Sequence, residues 1–234
     1  MHSRAIVIGV GTYSNMPPLP ATQNDSVVVS EMLSHHGDGS KNMLVTLCND
    51  KSIGVSKAIL ENEIEQTLAS DASLVVIYFS GHGTLTAGGD FGQLMASDAA
   101  VDMYWLMGRI NYHNGKYRST VVILDCCHAG AIGLSEGRSM PTVQIERGVT
   151  LIAAADSTQE AVENNNHGRF TTLLISGLSG GSADLAGRVT PATLYTHIDQ
   201  AIGHRGQRPV FATCLLYTSP SPRDRTRSRM PSSA

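Results

Sequence analysis

Four short runs rich in Val and Ile constrain the fold of this chain more than any other feature of its sequence. Each is five or six residues long and apolar on both faces, and they lie at Ala5–Val10, Leu74–Phe79, Thr120–Leu124 and Thr150–Ala154. Such runs are typical of parallel strands that are buried on both sides. Met43–Leu47 is a weaker fifth run of the same kind.

Helical patterns separate and follow these runs. Apolar residues recur at helical spacing in five segments, which are Asp25–His36, Val55–Ala69, Met103–His113, Phe170–Leu178 and Pro191–Ile202. An alternation of strand and helix predicts a parallel sheet that is covered by helices on both faces. We therefore expect a three-layer α/β/α sandwich with a mainly parallel sheet, in which the last strand lies near Pro209–Thr213.

Composition narrows the classes of function. The chain has 234 residues, of which 41% are hydrophobic and 16% charged, as in a globular domain. Its 17 Lys and Arg against 20 Asp and Glu leave a formal net charge of −3, which argues against a nucleic-acid partner. The apolar run Ile6–Val10 is too short for a signal peptide or a membrane span. We expect a cytoplasmic protein with no membrane partner.

The last twenty residues differ in composition from the rest. Residues 215–234 read LLYTSPSPRDRTRSRMPSSA, with three prolines, five serines and four arginines, and they show no apolar periodicity. We interpret this segment as a disordered tail of non-native origin, with a native basic tail as the alternative. The folded domain is expected to comprise residues 1–214.

Two polar motifs follow two of the predicted strands. The motif SGHG, residues 80–83, follows Leu74–Phe79, and DCCHAG, residues 125–130, follows Thr120–Leu124. The carboxyl ends of parallel strands meet at the same edge of a sheet, and neighbouring strands are about 4.8 Å apart. If these two strands are neighbours, His82 and Cys127 come within reach of each other. An imidazole beside a thiol raises the thiolate fraction, so the motifs predict nucleophilic catalysis.

These motifs resemble those of the caspase-like cysteine peptidases, and more closely the metacaspase and bacterial branches than animal caspases. The resemblance extends over residues 4–213, from RAIVIGV near the start to QRPVFAT near the end. It implies a catalytic dyad of His82 and Cys127, and an oxyanion hole formed by the backbone N–H groups of Gly83 and Cys127. It implies no organic cofactor. It also divides the domain into a large-subunit-like part, residues 1–137, and a small-subunit-like part, residues 148–214.

The residues before the nucleophile indicate which side chain the substrate carries before the scissile bond. Animal caspases carry QAC at this point, whereas this chain has Asp125 followed by two cysteines. The resemblance to metacaspases adds Asp25 and Ser80 to the same substrate pocket. Two carboxylates favour a cation, since a charge-assisted hydrogen bond contributes about 1.5–3 kcal/mol. We expect cleavage of proteins or peptides after Arg or Lys. An alternative role for Asp25 is the N-cap of the helix that follows it.

The segment after the nucleophile predicts an exposed loop. Ala131–Arg147 begins with a Gly-containing stretch and includes Pro141. Because relatives are often cut between the two parts of the domain, Arg138 and Arg147 are candidate self-cleavage sites. A solvated loop that simply contains arginines is an equal alternative.

Other candidates for chemistry at this edge are weaker. Cys126 is expected to pack under the end of the sheet, because consecutive residues point to opposite faces, and its thiol is a reserve nucleophile. His128 and His167 are not expected to act as the base. Zinc is disfavoured, since adjacent cysteines such as Cys126 and Cys127 do not converge easily on one tetrahedral site. The four cysteines of the chain are a poor disulfide framework, so we expect reduced thiols.

The sequence leaves alternatives for calcium binding, for the oligomeric state and for the function. Some metacaspases bind calcium through aspartates after the histidine motif, where this chain has Asp90, Asp98 and Asp102. We favour a role for these three as acidic surface residues and expect no metal. A monomer is expected rather than a dimer formed through the last strand. The competing hypothesis on function is a catalytically silent interaction module with the same fold.

Overall fold

The secondary structure follows the predicted order. A computed structural model describes residues 2–51, 55–87, 92–115, 118–127, 145–154, 168–202 and 209–214. Within these ranges the strands are β1 (Ser3–Gly9), β2 (Leu44–Asn49), β3 (Leu74–Ser80), β4 (Gly83–Leu85), β5 (Gly92–Met95), β6 (Ala100–Asp102), β7 (Ser119–Asp125), β8 (Val149–Ala153) and β9 (Val210–Cys214). The α-helices are α1 (Ala21–Ser34), α2 (Lys57–Leu68), α3 (Met103–His113), α4 (Arg169–Ser176) and α5 (Pro191–Ile202).

Six of these strands form one central sheet, in the order β2-β1-β3-β7-β8-β9. The pairs from β2 to β8 are parallel, and β9 at the end of the sheet is antiparallel to β8. Every predicted strand is present, and the sheet is mainly parallel as expected. A second sheet of three short antiparallel strands, β4-β5-β6, was not predicted. Its strands have three or four residues each, too few for a recognisable hydrophobic pattern.

Alternate residues of the central strands face two separate hydrophobic clusters. Ile77 and Val122 pack on one face with the apolar residues of α2 and α3. Tyr78 and Ile123, the next residues along the same strands, pack on the other face with α1, α4 and α5. The sheet therefore lies between two helical layers, which confirms the predicted three-layer sandwich.

Helix α1 begins at Ala21, four residues before the predicted start at Asp25. Pro20 precedes it with a helical φ of −64°, and Ala21 in the first turn is buried. The sequence pattern did not show this turn because it also contains the polar residues Gln23 and Asn24. Asp25 therefore lies inside the helix, where it is only 1% exposed, and the alternative that it is an N-cap is wrong. The other helices begin and end within two residues of their predicted bounds.

Several predictions concern residues outside the described ranges. These are the tail, residues 215–234, and the candidates Asp90, His128, Arg138 and His167. No helix in the described part of the chain is long and apolar enough to cross a membrane.

Candidate active site

Strands β3 and β7 bring the two polar motifs to the same edge of the sheet. The strands are parallel neighbours, and Ser80 at the end of β3 is paired with Asp125 at the end of β7. Directly beyond them, the Gly81 N–H donates to the carbonyl oxygen of Asp125 over 3.3 Å. The histidine and cysteine motifs thus leave the sheet side by side, as their positions in the sequence predicted.

The close approach of the two motifs requires glycine at position 83. A Cβ atom on Gly83 would lie 1.9 Å from the carbonyl oxygen of Cys127 and 3.2 Å from the Sγ atom of Cys126. No side chain fits at such distances, so only glycine allows this contact. The residue after His82 is therefore packed directly against the backbone of Cys127.

His82 is held at three points. Its N–H donates to the hydroxyl of Tyr13 over 2.8 Å, and its carbonyl accepts from the Met95 N–H over 3.0 Å. Its ring nitrogen Nε2 lies 2.9 Å from the carbonyl oxygen of Pro17. Since a carbonyl can only accept, we infer that Nε2 carries the hydrogen and that Nδ1 is the basic nitrogen of the neutral ring.

The two adjacent cysteines lie in different environments. Cys126 is 7% exposed and belongs to the cluster under the sheet, as the sequence predicted. Burial, followed by the charge of Asp125, raises the pKa of the Cys126 thiol well above its usual value, which disfavours it as a nucleophile. Cys127 is only partly buried. Its thiol is therefore the more accessible of the two.

The three predicted pocket residues come together beside this motif pair. Asp25 reaches the site from α1 and accepts a hydrogen bond from the Gly168 N–H over 3.3 Å. A Cβ atom on Gly168 would lie 3.2 Å from Oδ2 of Asp125 and 3.5 Å from Oδ2 of Asp25. Ser80, the strand partner of Asp125, is 2% exposed. Two carboxylates therefore converge on one point near the start of α4.

The environment of Asp125 disfavours its charged form. Burial raises the pKa of Asp125 to about 6, and the charge of Asp25 acts in the same direction. A hydrogen bond from the Thr171 hydroxyl, which is 2.6 Å from Oδ2 of Asp125, opposes this shift. The hydroxyl of Tyr78 lies 2.6 Å from the same Thr171 oxygen. Because the Thr171 hydrogen is directed to Asp125, Tyr78 donates to Thr171.

Sequence reasoning missed Tyr78 and Thr171. Both side chains are fully buried, yet they form a chain of hydrogen bonds that orients the carboxylate of Asp125. Tyr78 could have been noticed as the one hydroxyl-bearing side chain in the run LVVIYF, just before the histidine motif. Thr171 carries no such signal, since the fold brings it to β7 from 46 residues away.

Asp98 and Asp102, two of the three aspartates considered for calcium, accept hydrogen bonds within the fold. Oδ1 of Asp98 accepts from the N–H of Lys57, the first residue of α2, over 2.8 Å. Oδ1 of Asp102 accepts from the side-chain amide of Gln93 over 2.6 Å. Among the described residues, no group of three His, Cys, Asp or Glu side chains has the arrangement of a metal site. Within the described ranges each of these two aspartates thus makes a hydrogen bond of its own inside the fold.

The candidate self-cleavage site within the described ranges is Arg147. Its side chain is exposed in the turn before β8, and its carbonyl accepts a hydrogen bond from the side-chain amide of Asn114. The peptide bond between Arg147 and Gly148 thus lies at the surface, and Gly148 adopts a positive φ of 83°.

A family model for the caspase domain matches residues 2–218, which is almost the whole chain. No curated protein matched the chain.

Solved structures with this fold include caspases and a bacterial protein. Caspase-1 from Spodoptera frugiperda superposes with a TM-score of 0.65 at 15% identity, over 92% of this chain and 89% of that one. A Geobacter sulfurreducens protein superposes with a TM-score of 0.66 at 16% identity, over 95% and 96% of the two chains. The Drosophila initiator caspase Dronc superposes with a TM-score of 0.62 at 11% identity, over 91% and 79%. At these identities the likeness concerns the fold. Together with the family match, it establishes that this chain belongs to the caspase-domain family of C14 peptidases.

Proposed function

We propose that this chain is a cysteine endopeptidase that hydrolyses peptide bonds after Arg or Lys. The observation that supports the proposal is that the paired ends of β3 and β7 set Gly83 against the backbone of Cys127, while the carboxylates of Asp25 and Asp125 lie together near Gly168. A nucleophile, a base and an acidic pocket at one sheet edge are what such a reaction requires.

In the first half of the reaction Cys127 is the nucleophile. Its thiol gives its proton to Nδ1 of His82, and the thiolate attacks the carbonyl carbon of the scissile bond. The backbone N–H groups of Gly83 and Cys127 stabilise the oxyanion. The Pro17 carbonyl holds the Nε2–H group and stabilises the positive charge on the ring. The imidazolium then protonates the leaving amine, and a thioester with Cys127 remains.

The second half of the reaction releases the acyl group. A water molecule enters where the amine has left, and Nδ1 of His82 takes a proton from it. The resulting hydroxide attacks the thioester and expels the thiolate of Cys127, which recovers the proton from His82. The products are a carboxylic acid and the free enzyme.

The acidic pocket determines which bond is cut. A guanidinium or ammonium group that enters beside Gly168 meets the carboxylates of Asp25 and Asp125. An acidic side chain there would be repelled, because the low local dielectric strengthens interactions between charges. Preference for a basic residue before the scissile bond follows.

A peptide panel tests this proposal. Fluorogenic peptides that differ only in the residue before the scissile bond, which is Arg, Lys, Ala or Asp, are incubated with the purified chain. We expect turnover of the Arg and Lys peptides, and loss of roughly 1,000-fold or more in kcat for Cys127→Ala and His82→Ala. Cys214→Ala is the matched control, because Cys214 is a partly buried free thiol in β9, at the far end of the sheet.

Two outcomes would contradict the proposal. Preferred turnover of the Asp peptide would overturn the basic specificity. Absence of turnover, together with failure of a peptidyl electrophile to label Cys127, would reject the peptidase and favour the silent interaction module.

The same proposal includes self-processing after Arg138 or Arg147. Incubation of the wild type should yield fragments with the masses expected for cuts at these arginines, and Cys127→Ala should stay intact. A wild type of unchanged mass, under conditions in which it turns over the Arg peptide, would exclude self-processing.

A further inference from the structure

Tyr13 contacts His82 in two separate ways. Its hydroxyl accepts a hydrogen bond from the His82 N–H over 2.8 Å and donates to the carbonyl of Val10 over 2.8 Å. Its ring also packs on the imidazole, with 4.7 Å between the ring centroids and an angle of 54° between the planes. Tyr13 therefore restrains both the backbone and the ring of the candidate base.

The histidine motif leaves room for this hydroxyl. A Cβ atom on Gly81 would lie 2.7 Å from the Tyr13 hydroxyl oxygen and 3.0 Å from the ring of Phe79. Any side chain at position 81 would thus displace the hydroxyl from the His82 N–H. The two glycines that flank His82 therefore make room for different groups. Gly81 leaves space for the Tyr13 hydroxyl, and Gly83 leaves space for the Cys127 carbonyl oxygen.

Tyr13 and Pro17 belong to the same segment, residues 10–20, which we call the β1–α1 loop. The loop is tied to the sheet by a hydrogen bond of 2.9 Å from the Val10 N–H to the Ser80 carbonyl. The Gly11 N–H donates to Asp50 over 3.1 Å, and the Ser14 N–H donates to the Ser97 carbonyl over 2.9 Å. An anchored loop therefore contacts His82 at its N–H, its ring face and its Nε2 atom.

The protonation state and the hydrogen bonds of the Tyr13 hydroxyl favour a positioning role over a role as an acid or a base. Burial raises the pKa of its hydroxyl well above the usual value, so the group stays neutral at physiological pH. Its one hydrogen is directed to the Val10 carbonyl and its oxygen accepts from a backbone N–H. Both bonds are made to backbone groups.

We propose that Tyr13 is a positioning residue that fixes His82 so that its Nδ1 atom faces Cys127. The inference rests on the peptidase function proposed above. A displacement of a catalytic group by about 1 Å can reduce the rate by about 100-fold, so a restraint of this kind matters in the chemical step. Substrate binding in the acidic pocket is left to other residues.

Tyr13→Phe tests the role of the hydroxyl, since it keeps the ring and removes only the oxygen. We expect kcat for the Arg peptide, measured per titrated Cys127, to fall roughly 10- to 100-fold while KM stays within about twofold. Alkylation of Cys127 by iodoacetamide, followed by peptide mass spectrometry, should slow by a similar factor because the thiolate is less well paired with His82. Tyr112→Phe, at an exposed tyrosine of α3, is the matched control and should leave both rates unchanged.

Gly81→Ala provides a second variant that leaves Tyr13 in place. Its Cβ atom displaces the Tyr13 hydroxyl, so a similar loss of kcat is expected. In the Tyr13→Phe background the hydroxyl is absent and only the milder contact with the Phe79 ring remains, so adding Gly81→Ala should cost less than about threefold. Full additivity of the two losses would contradict the proposal.

The outcomes separate this inference from the proposed function. For Tyr13→Phe, kcat and alkylation rates within about twofold of the wild type would overturn the positioning role. A raised KM with unchanged kcat would overturn it as well, because it would show a role in substrate binding. A wild type that cleaves none of the peptides would reject the peptidase, and the alkylation rates would still decide whether Tyr13 aligns His82 with Cys127.

Discussion

Two carboxylates of this chain have pKa values that are shifted in opposite directions. Glu65 of α2 accepts two hydrogen bonds from the guanidinium of Arg109, one of them 2.7 Å long, and lies 2.7 Å from Nε2 of His113. The Arg109 contact is the main cause that lowers the pKa of Glu65 to about 2. Burial and the nearby Asp25 charge instead raise the pKa of Asp125 to about 6.

The opposite shifts reflect different roles, since Glu65 stabilises the packing of two helices whereas Asp125 belongs to the proposed substrate pocket. Glu65 is neutralised by a cation of its own chain, and the pair joins α2 to α3. Asp125 is stabilised by the neutral hydroxyl of Thr171 and is opposed by Asp25. Adding a cationic side chain would gain little at Glu65, whereas at Asp125 it would relieve the repulsion between two carboxylates. Unfavourable electrostatics of this kind are a common mark of binding sites.

Substitution of the pocket carboxylate should have the largest effect. Asp125→Asn keeps the size and the Thr171 contact but removes the charge, so kcat/KM for the Arg peptide should fall by about 100-fold or more. Glu65→Gln is the matched control and should change kcat/KM by less than about twofold. Equal losses in the two variants, measured under the same steady-state conditions, would show that the charge of Asp125 has no specific role in substrate binding.

The same Asp125→Asn variant should be more stable than the wild type. The pKa of Asp125 rises from an ordinary value of about 3.9 to about 6 on folding, so the folded state binds the proton more tightly. Stability of the wild type therefore falls as the pH rises from about 4 to 6 and stays reduced above that range. At pH 8 we expect the free energy of unfolding of Asp125→Asn to exceed that of the wild type by about 3 kcal/mol in urea titrations.

At pH 4 the stability gain of Asp125→Asn should be largely absent, because the wild-type carboxyl is then protonated in the folded state. A gain of equal size at both pH values would mean that the charge of Asp125 is not its cause.

Substrate affinity should depend on pH through the same group. Protonation of Asp125 removes one negative charge from the pocket as the pH falls through about 6, so KM for the Arg peptide should be about tenfold higher at pH 5 than at pH 7. In Asp125→Asn this dependence of KM should disappear. A KM that is constant between pH 5 and 7 in the wild type would contradict the assigned pocket role.

Glu65→Gln should have the smallest effect, and it should concern stability alone. A carboxylate with a lowered pKa contributes stability above its unfolded pKa of about 4.3, and the contribution is lost as the pH falls towards 2. The side chain of Glu65 is 36% exposed, and screening by solvent limits the loss in Glu65→Gln at pH 7 to about 1 kcal/mol. Thermal unfolding at pH 7 and near pH 2 measures this loss and its disappearance.

The strands and the motif positions could be predicted from sequence because both depend on neighbouring residues. The run LVVIYF predicts a strand that is buried on both faces, and the polar motif SGHG after it predicts the functional edge. The short strands β4 to β6 and the start of α1 were not predictable in this way, since their residues lack a periodic apolar pattern.

The sequence by itself determined a mainly parallel sheet with His82 and Cys127 after two of its strands, because strand formation and chain direction follow from local side-chain pattern. Only the tertiary structure decided that Asp25 lies inside α1 and meets Gly168, 143 residues away, and that Tyr13 packs on His82, 69 residues away. Such contacts depend on how helices and loops pack over the sheet, and no local pattern encodes that packing.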